Sequence, residues 1–213
     1  MLNRGSSNEM DEVVRYVKER IGLKPDNLRY FLNKVFDEVN DLFNLCADYQ
    51  RRATKIGSAF ESSFKIIMET LFPNIVLSEK VELPMACMGG NAKADFAVLR
   101  DNSDKTLIAV FEAKGSADYI MCGGKRIELS RPGLMRTDTT KKAISNAYQV
   151  KRSYPGALFF IVSSHKPISG DAKCMLDLAV GDIVDAVVDV TNLKELEEMA
   201  VIIRESLSKI KLH

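Results

Sequence analysis

Three residues in the middle of the chain, Asp95, Glu112 and Lys114, have types and spacing suited to hydrolytic chemistry. Asp95 opens the strand-like run Asp95 to Arg100, and Glu112-Ala113-Lys114 closes a second one, Thr106 to Lys114. Between them, Asp101-Asn102-Ser103-Asp104-Lys105 is turn chemistry, so the two runs read as a β-hairpin. A turn centred between Ser103 and Asp104 leaves Asp95 and Glu112 equally far from its centre, hence opposite each other. Directly opposed residues hold their Cβ atoms about 4.5 to 5.5 Å apart, close enough for two carboxylates to share a divalent ion. Alternation along the second strand puts Lys114 on the face of Glu112.

Oxygen ligands suit a hard ion such as Mg²⁺, and the backbone carbonyl of Ala113 is a further oxygen donor. Bound to such an ion, a water loses its proton more easily, and charge developing on a phosphate is offset. The Lys114 ammonium can orient the attacking water or support the transition state. On an ordinary exposed strand this trio would be a cross-strand ion pair. Here Phe96-Ala97-Val98 and Ala109-Val110-Phe111 bracket the charges. A charge beside a buried strand needs a metal or mutual pairing.

Other chemistries are poorly served. Only two histidines exist, His165 and His213, so a Ser-His-Asp triad or a two-histidine zinc site has little to draw on. The four cysteines, Cys46, Cys87, Cys122 and Cys174, are scattered without a CxxC pair and read as buried thiols. Gly123-Gly124-Lys125 imitates the end of a P-loop, but Tyr119 stands at the first glycine position and Arg126 at the Ser/Thr position. Net charge is +1, so nucleic-acid binding would rest on a local basic patch. No apolar run approaches the roughly 18 to 20 residues of a membrane span. Met1 to Ser6 lacks a signal-peptide core, and a cytoplasmic protein is expected.

Elements that could position the trio follow from periodicity. A short helix is expected over about 9–22, stopped by Gly22 and Pro25, and a second from Asp26 as N-cap. The second carries Leu28, Phe31, Leu32, Val35, Phe36, Val39, Leu42, Phe43 and Cys46 on one stripe, as a core or dimer-facing helix would. A third begins near Gly57-Ser58, with Phe60, Phe64, Ile67, Met68 and Leu71 on one face and Glu61 beside it. Strands are expected at Ile75 to Val81, in the hairpin, at Ala157 to Ser163 and at Ile183 to Val190. Helices are expected from Thr139 or Thr140 to about Ser153 and along Leu193 to Leu207. Residues 115–138 read as a long functional loop with room for short strands. The order implies an α/β fold, a mixed β-sheet flanked by helices.

Together these residues resemble the PD-(D/E)xK nucleases, specifically the type II restriction endonucleases. Ala94-Asp95 matches the family's Pro-Asp step, with alanine replacing proline, and Glu112-Ala113-Lys114 matches its (D/E)xK step. Gly57-Ser58-Ala59-Phe60-Glu61 is similar to the first core helix, which often adds a glutamate to the metal site. The resemblance covers roughly residues 55–190. It implies a restriction-endonuclease-like fold in a single domain over 1–213, with a helical N-terminal extension (1–54), a catalytic core (55–190) and a C-terminal helix (191–213). It further implies Asp95, Glu112, Lys114 and Glu61 as catalytic residues, and Asp95, Glu112, Ala113 and Glu61 as ligands of Mg²⁺, with Mn²⁺ a substitute.

In such enzymes, insertions after the catalytic strand often carry recognition. Arg131 and Arg136 could present forks to guanine edges, and Lys125, Arg126, Lys141 and Lys142 could meet phosphates. The loop Gly89-Gly90-Asn91-Ala92-Lys93 is a second candidate for close approach to DNA. The expected activity is sequence-specific hydrolysis of double-stranded DNA by a homodimer, one active site per strand. The alternatives are a Holliday junction resolvase or DNA repair nuclease of the same fold, and a non-catalytic DNA-binding protein. The last would have a broken catalytic set, whereas this trio is intact.

Overall fold

Amphipathic helices open the chain. The computed structural model describes residues 6–88, 93–100 and 106–210. Helix α1 (Ser6–Ile21) buries Met10, Val13, Val14 and Val17 and ends where Gly22 turns left-handed, at φ +73°. Helix α2 (Leu28–Phe43) buries the expected stripe from Leu28 to Val39, but Leu42 is exposed and Cys46 lies beyond the helix. The residue at its start is Asn27 rather than Asp26. Its side chain accepts from Lys24 N at 2.9 Å and donates to Gly22 O at 3.1 Å, closing the preceding turn instead of capping the helix.

Helix α3 (Tyr49–Leu71) starts well before Gly57-Ser58. The Asp48 carboxylate caps it by accepting from Arg51 N at 2.9 Å, and Gly57 lies inside it. The 54/55 boundary between extension and core therefore falls within one continuous helix.

Beyond α3 come β1 (Ser78–Glu82), β2 (Lys93–Leu99), β3 (Leu107–Lys114), β4 (Tyr119–Cys122) and β5 (Lys125–Glu128). After them come α4 (Thr137–Ser153), β6 (Leu158–Ser163), α5 (Gly170–Ala179), β7 (Ala186–Asp189) and α6 (Leu193–Ile210). The main sheet is mixed and five-stranded, in the order β1-β2-β3-β6-β7. Strands β1, β2 and β3 run antiparallel to their neighbours, while β3, β6 and β7 are parallel. The turn at 101–105 lies outside the described residues, as do 89–92 of the glycine-rich loop. The register of the hairpin is nevertheless fixed by Phe96↔Phe111, Ala97↔Val110 and Val98↔Ala109. One further step along it sets Asp95 opposite Glu112.

Helices cover both faces of this sheet. On one side α1, α2, α3 and α6 share a buried cluster with Phe96, Phe111, Phe160 and Val188. On the other, α4 and α5 pack on Val110, Phe159, Ile161 and Val187. The α3 ring of Phe64 meets Phe96 edge-on at 5.5 Å and Phe111 at 5.7 Å, and Phe111 stacks on Phe160 at 5.5 Å. These contacts lock α3 to the strands directly beneath Glu61.

Helix α5 was not expected from the sequence; it is short and buries only Ala172, Leu176 and Ala179. Residues 115–138 hold the small hairpin β4–β5 and a 3-10 turn, Gly133–Met135. Gly123 and Gly124, both at positive φ (58° and 77°), make the two-residue hairpin connection, not a phosphate loop.

The cysteines need correcting. None of the four is a buried thiol: Cys46 and Cys122 form a disulfide, and Cys87 and Cys174 are exposed. The pairing follows from packing of the hairpin on α2, where buried Asn40 donates to Met121 O at 2.7 Å. The bond closes a separation of 76 residues. By loop entropy it contributes about 2–4 kcal/mol, so reduction, or Cys46→Ser, should lower Tm by roughly 5–15 °C. A melting curve unaffected by reductant would contradict the bond. Among the described residues no helix is long and apolar enough to cross a membrane.

Candidate active site

The sheet's parallel strands end together, and ligands of open α/β sheets bind outside such carboxyl ends. Strand β3 ends at Lys114 and β6 at Ser163, whose hydroxyl donates to Lys114 O at 2.7 Å. A cleft of about 720 Å³ opens there, lined by Glu61, Ala113 and Lys114 together with residues of the 128–139 segment. Gly133, at φ +57°, brings that segment against the strand ends. A Cβ at Gly133 would stand 2.8 Å from Ser163 Oγ and 3.0 Å from Lys114 O.

Lys114, which lines the cleft, reaches inward: its Nζ lies 2.5 Å from Glu112 Oε1 and 3.8 Å from Asp95 Oδ2. Glu112 is only 5% exposed and also accepts from Asn146 Nδ2 of α4 at 3.0 Å. Asp95 Oδ2 accepts from Ala113 N at 2.9 Å, so one carboxylate ties β2 to β3 beside Lys114. Its other oxygen, Oδ1, is 3.2 Å from Lys80 Nζ, which also donates to Glu61 Oε2 at 2.6 Å. The acids and lysines thus alternate in a chain: Glu61, Lys80, Asp95, Lys114, Glu112.

Electrostatics follow from burial. Desolvation, then the Asp95 charge, raise the Glu61 carboxyl above its ordinary pKa despite Lys80. Desolvation likewise raises Glu112, opposed by Lys114 and assisted by Asp95. Burial works to depress the Lys114 ammonium, but Glu112 and Asp95 outweigh it, so its pKa is raised and it stays charged. His165 stands apart, held below its ordinary pKa by burial and by Arg29.

The trio and Glu61 are therefore brought together as expected, along with Ala113. The basic residues divide. Arg131 is exposed on the cleft wall, at φ +54°. Arg136 lines the cleft too, but its fork is held by Asp138 (3.1 and 2.8 Å) and by the Tyr49 hydroxyl (2.5 Å). Lys125, Arg126, Lys141 and Lys142 are exposed and do not line the cleft; Arg126 lies 3.9 Å over the Tyr119 ring and pairs with Glu128.

Sequence reasoning missed Lys80, Asn146, and the cleft-lining pair Tyr49 and Arg52 at the start of α3. Lys80 falls opposite Asp95, between the pairs Glu79↔Phe96 and Val81↔Ala94, but the sequence pattern does not align β1 with β2. Asn146 is one polar residue among many on α4. Tyr49 and Arg52 become visible only when α3 is started at Asp48.

Among the described residues no group of three or more acidic, histidine or cysteine side chains is arranged to hold a metal ion. The donor set fits a different arrangement. Mg²⁺ ordinarily takes one or two carboxylates and keeps several waters, and Asp95, Glu112, Glu61 and the Ala113 carbonyl are all hard oxygen donors. In the structure the Lys80 ammonium sits between Glu61 and Asp95.

In comparison with known proteins, the sequence matches no family model and no curated protein.

Proposed function

We propose that the chain is a Mg²⁺-dependent endonuclease of restriction-endonuclease-like fold that cuts double-stranded DNA at a specific site, a type II restriction enzyme. One observation carries the reading: a buried glutamate, an aspartate and a charged lysine meet at the carboxyl end of the central strand, and the lysine, with Glu61 and Ala113, opens onto an arginine-walled cleft. Asp95 and Glu112, with Ala113 O and Glu61 nearby, would hold the ion. When bound, it lowers the pKa of a water and neutralises charge on the phosphate. Lys114 places a fixed positive charge beside the scissile phosphate, and Asn146 keeps Glu112 oriented. Arg131 and Arg52 would supply phosphate and base contacts along the cleft, and Lys125, Lys141 and Lys142 phosphate contacts outside it.

A homodimer would match a two-fold-symmetric site, and a cytoplasmic location belongs to the same proposal. Thiols are kept reduced there, so the Cys46–Cys122 bond would be open in the cell and closed after oxidation.

The test is digestion of a plasmid of known sequence with Mg²⁺ or Mn²⁺, followed by sequencing of the ends. Discrete fragments support the reading; cutting of branched DNA alone would replace it with a resolvase, and no cutting of any DNA would reject it. Once the site is known, Arg131→Ala should weaken cognate binding by about 1–3 kcal/mol for each base that its fork no longer reaches. Arg136→Ala should cost less, because that fork must first leave Asp138 and Tyr49. Equal affinity of Arg131→Ala and wild type for the cognate duplex would remove Arg131 from recognition.

A further inference from the structure

We propose that Lys80 is a built-in competitor for the metal: its ammonium occupies the position between Glu61 and Asp95 and withdraws when a divalent cation enters. The inference rests on the nuclease reading of the same site. Geometry supplies the first argument. Lys80 Nζ is 2.6 Å from Glu61 Oε2 and 3.2 Å from Asp95 Oδ1, bridging two of the expected ligands.

Backbone supplies the second. Lys80 takes φ +49° within edge strand β1, a conformation that L residues rarely adopt. Its neighbours keep regular pairing with β2, Glu79↔Phe96 on one side and Val81↔Ala94 on the other. The departure is confined to the one residue that reaches the carboxylates, as expected where local strain serves a site.

Charge supplies the third. Among the described residues, the cations paired with Glu61, Asp95 and Glu112 are the ammoniums of Lys80 and Lys114, which leaves a net negative charge. A divalent ion added to that set would make it net positive; exchanging Lys80 for the ion would make it neutral. Exposure says which lysine leaves. The Lys80 side chain is 52% exposed against 23% for Lys114, so Lys80 returns to water with little rearrangement while Lys114 is held in place. The resting site is thus kept satisfied without metal, and metal affinity is lowered by the need to displace an internal cation.

Ca²⁺, which binds oxygen ligands without supporting Mg²⁺ chemistry in the proposed enzyme, is the probe. Titration calorimetry on the whole chain should show Lys80→Met binding Ca²⁺ at least tenfold more tightly than wild type. Lys80→Gly, which suits the left-handed backbone and protects the test against misfolding, should do the same. Lys80→Arg should stay near wild type. Equal or weaker Ca²⁺ binding by both Lys80→Met and Lys80→Gly would overturn the inference, and Mg²⁺-dependent DNA cleavage by wild type would show that the nuclease reading survives it. Tighter binding without cleavage of any DNA would uphold the competition and reject the nuclease. Absence of Ca²⁺ binding by all four proteins would overturn the competition.

Discussion

Asp95→Asn and Lys114→Ala should each reduce Mg²⁺-dependent cleavage of duplex DNA by a factor of about 10² to 10³ or more, while binding of the same duplex in Ca²⁺ persists. The reasons differ. Asparagine keeps the Asp95 shape and its acceptance from Ala113 N, so the strand ends stay joined, but it removes the charge that a cation needs. Lys114→Ala removes the positive charge nearest Glu112 and leaves that carboxyl buried without its ion-pair partner, held by Asn146 alone. Burial already raises Glu112, so in this variant its carboxyl should be neutral over a wider pH range and a poorer metal ligand. Added metal should therefore rescue Lys114→Ala partially as pH is raised, and Asp95→Asn not at all. Plasmid nicking and gel-shift assays read both quantities. Wild-type cutting rates by either variant would remove the trio from catalysis.

The hairpin is the part of the site most legible in the sequence; counting outward from its turn residues gives the Phe96↔Phe111 register, but not the shift between Val98 and Leu99 that pairs Leu99 with Leu107. Glu61 was placed only by resemblance; the structure supplies its reason, since Phe60 and Phe64 bury the flanking positions and hold it over the strand ends. The start of α3 was misread because Gly57 looks like a boundary. Its helix cost, about 1 kcal/mol relative to alanine, is offset by packing of Ile56, Ala59 and Phe60, which local sequence does not display. Lys80 and the Cys46–Cys122 pair are tertiary facts: one depends on a single left-handed backbone, the other on a hairpin docking on α2. Arg136 has partners that its type does not reveal: Asp138, two residues away, and Tyr49 on another helix hold its fork.

Gly115→Ala should damage the site through packing. Gly115 follows Lys114, and a Cβ there would lie inside the ring of Phe60, which is fully buried on α3 next to Glu61. The ring is fully buried, so making room for the methyl group should push α3 and the end of β3 apart. Overpacking of this kind costs about 3 kcal/mol, a Tm loss of roughly 6–12 °C for a chain of this size. Cleavage should fall further than stability, because the displaced elements carry Glu61 and Lys114. A double-mutant cycle isolates the interaction. Phe60→Ala alone should cost about 3–5 kcal/mol by leaving a cavity, and in that background Gly115→Ala should cost little, since the methyl group then enters vacated space. Additive destabilisation in the cycle would mean that Gly115 is required for a reason other than Phe60, and the close approach of α3 to β3 would no longer account for it.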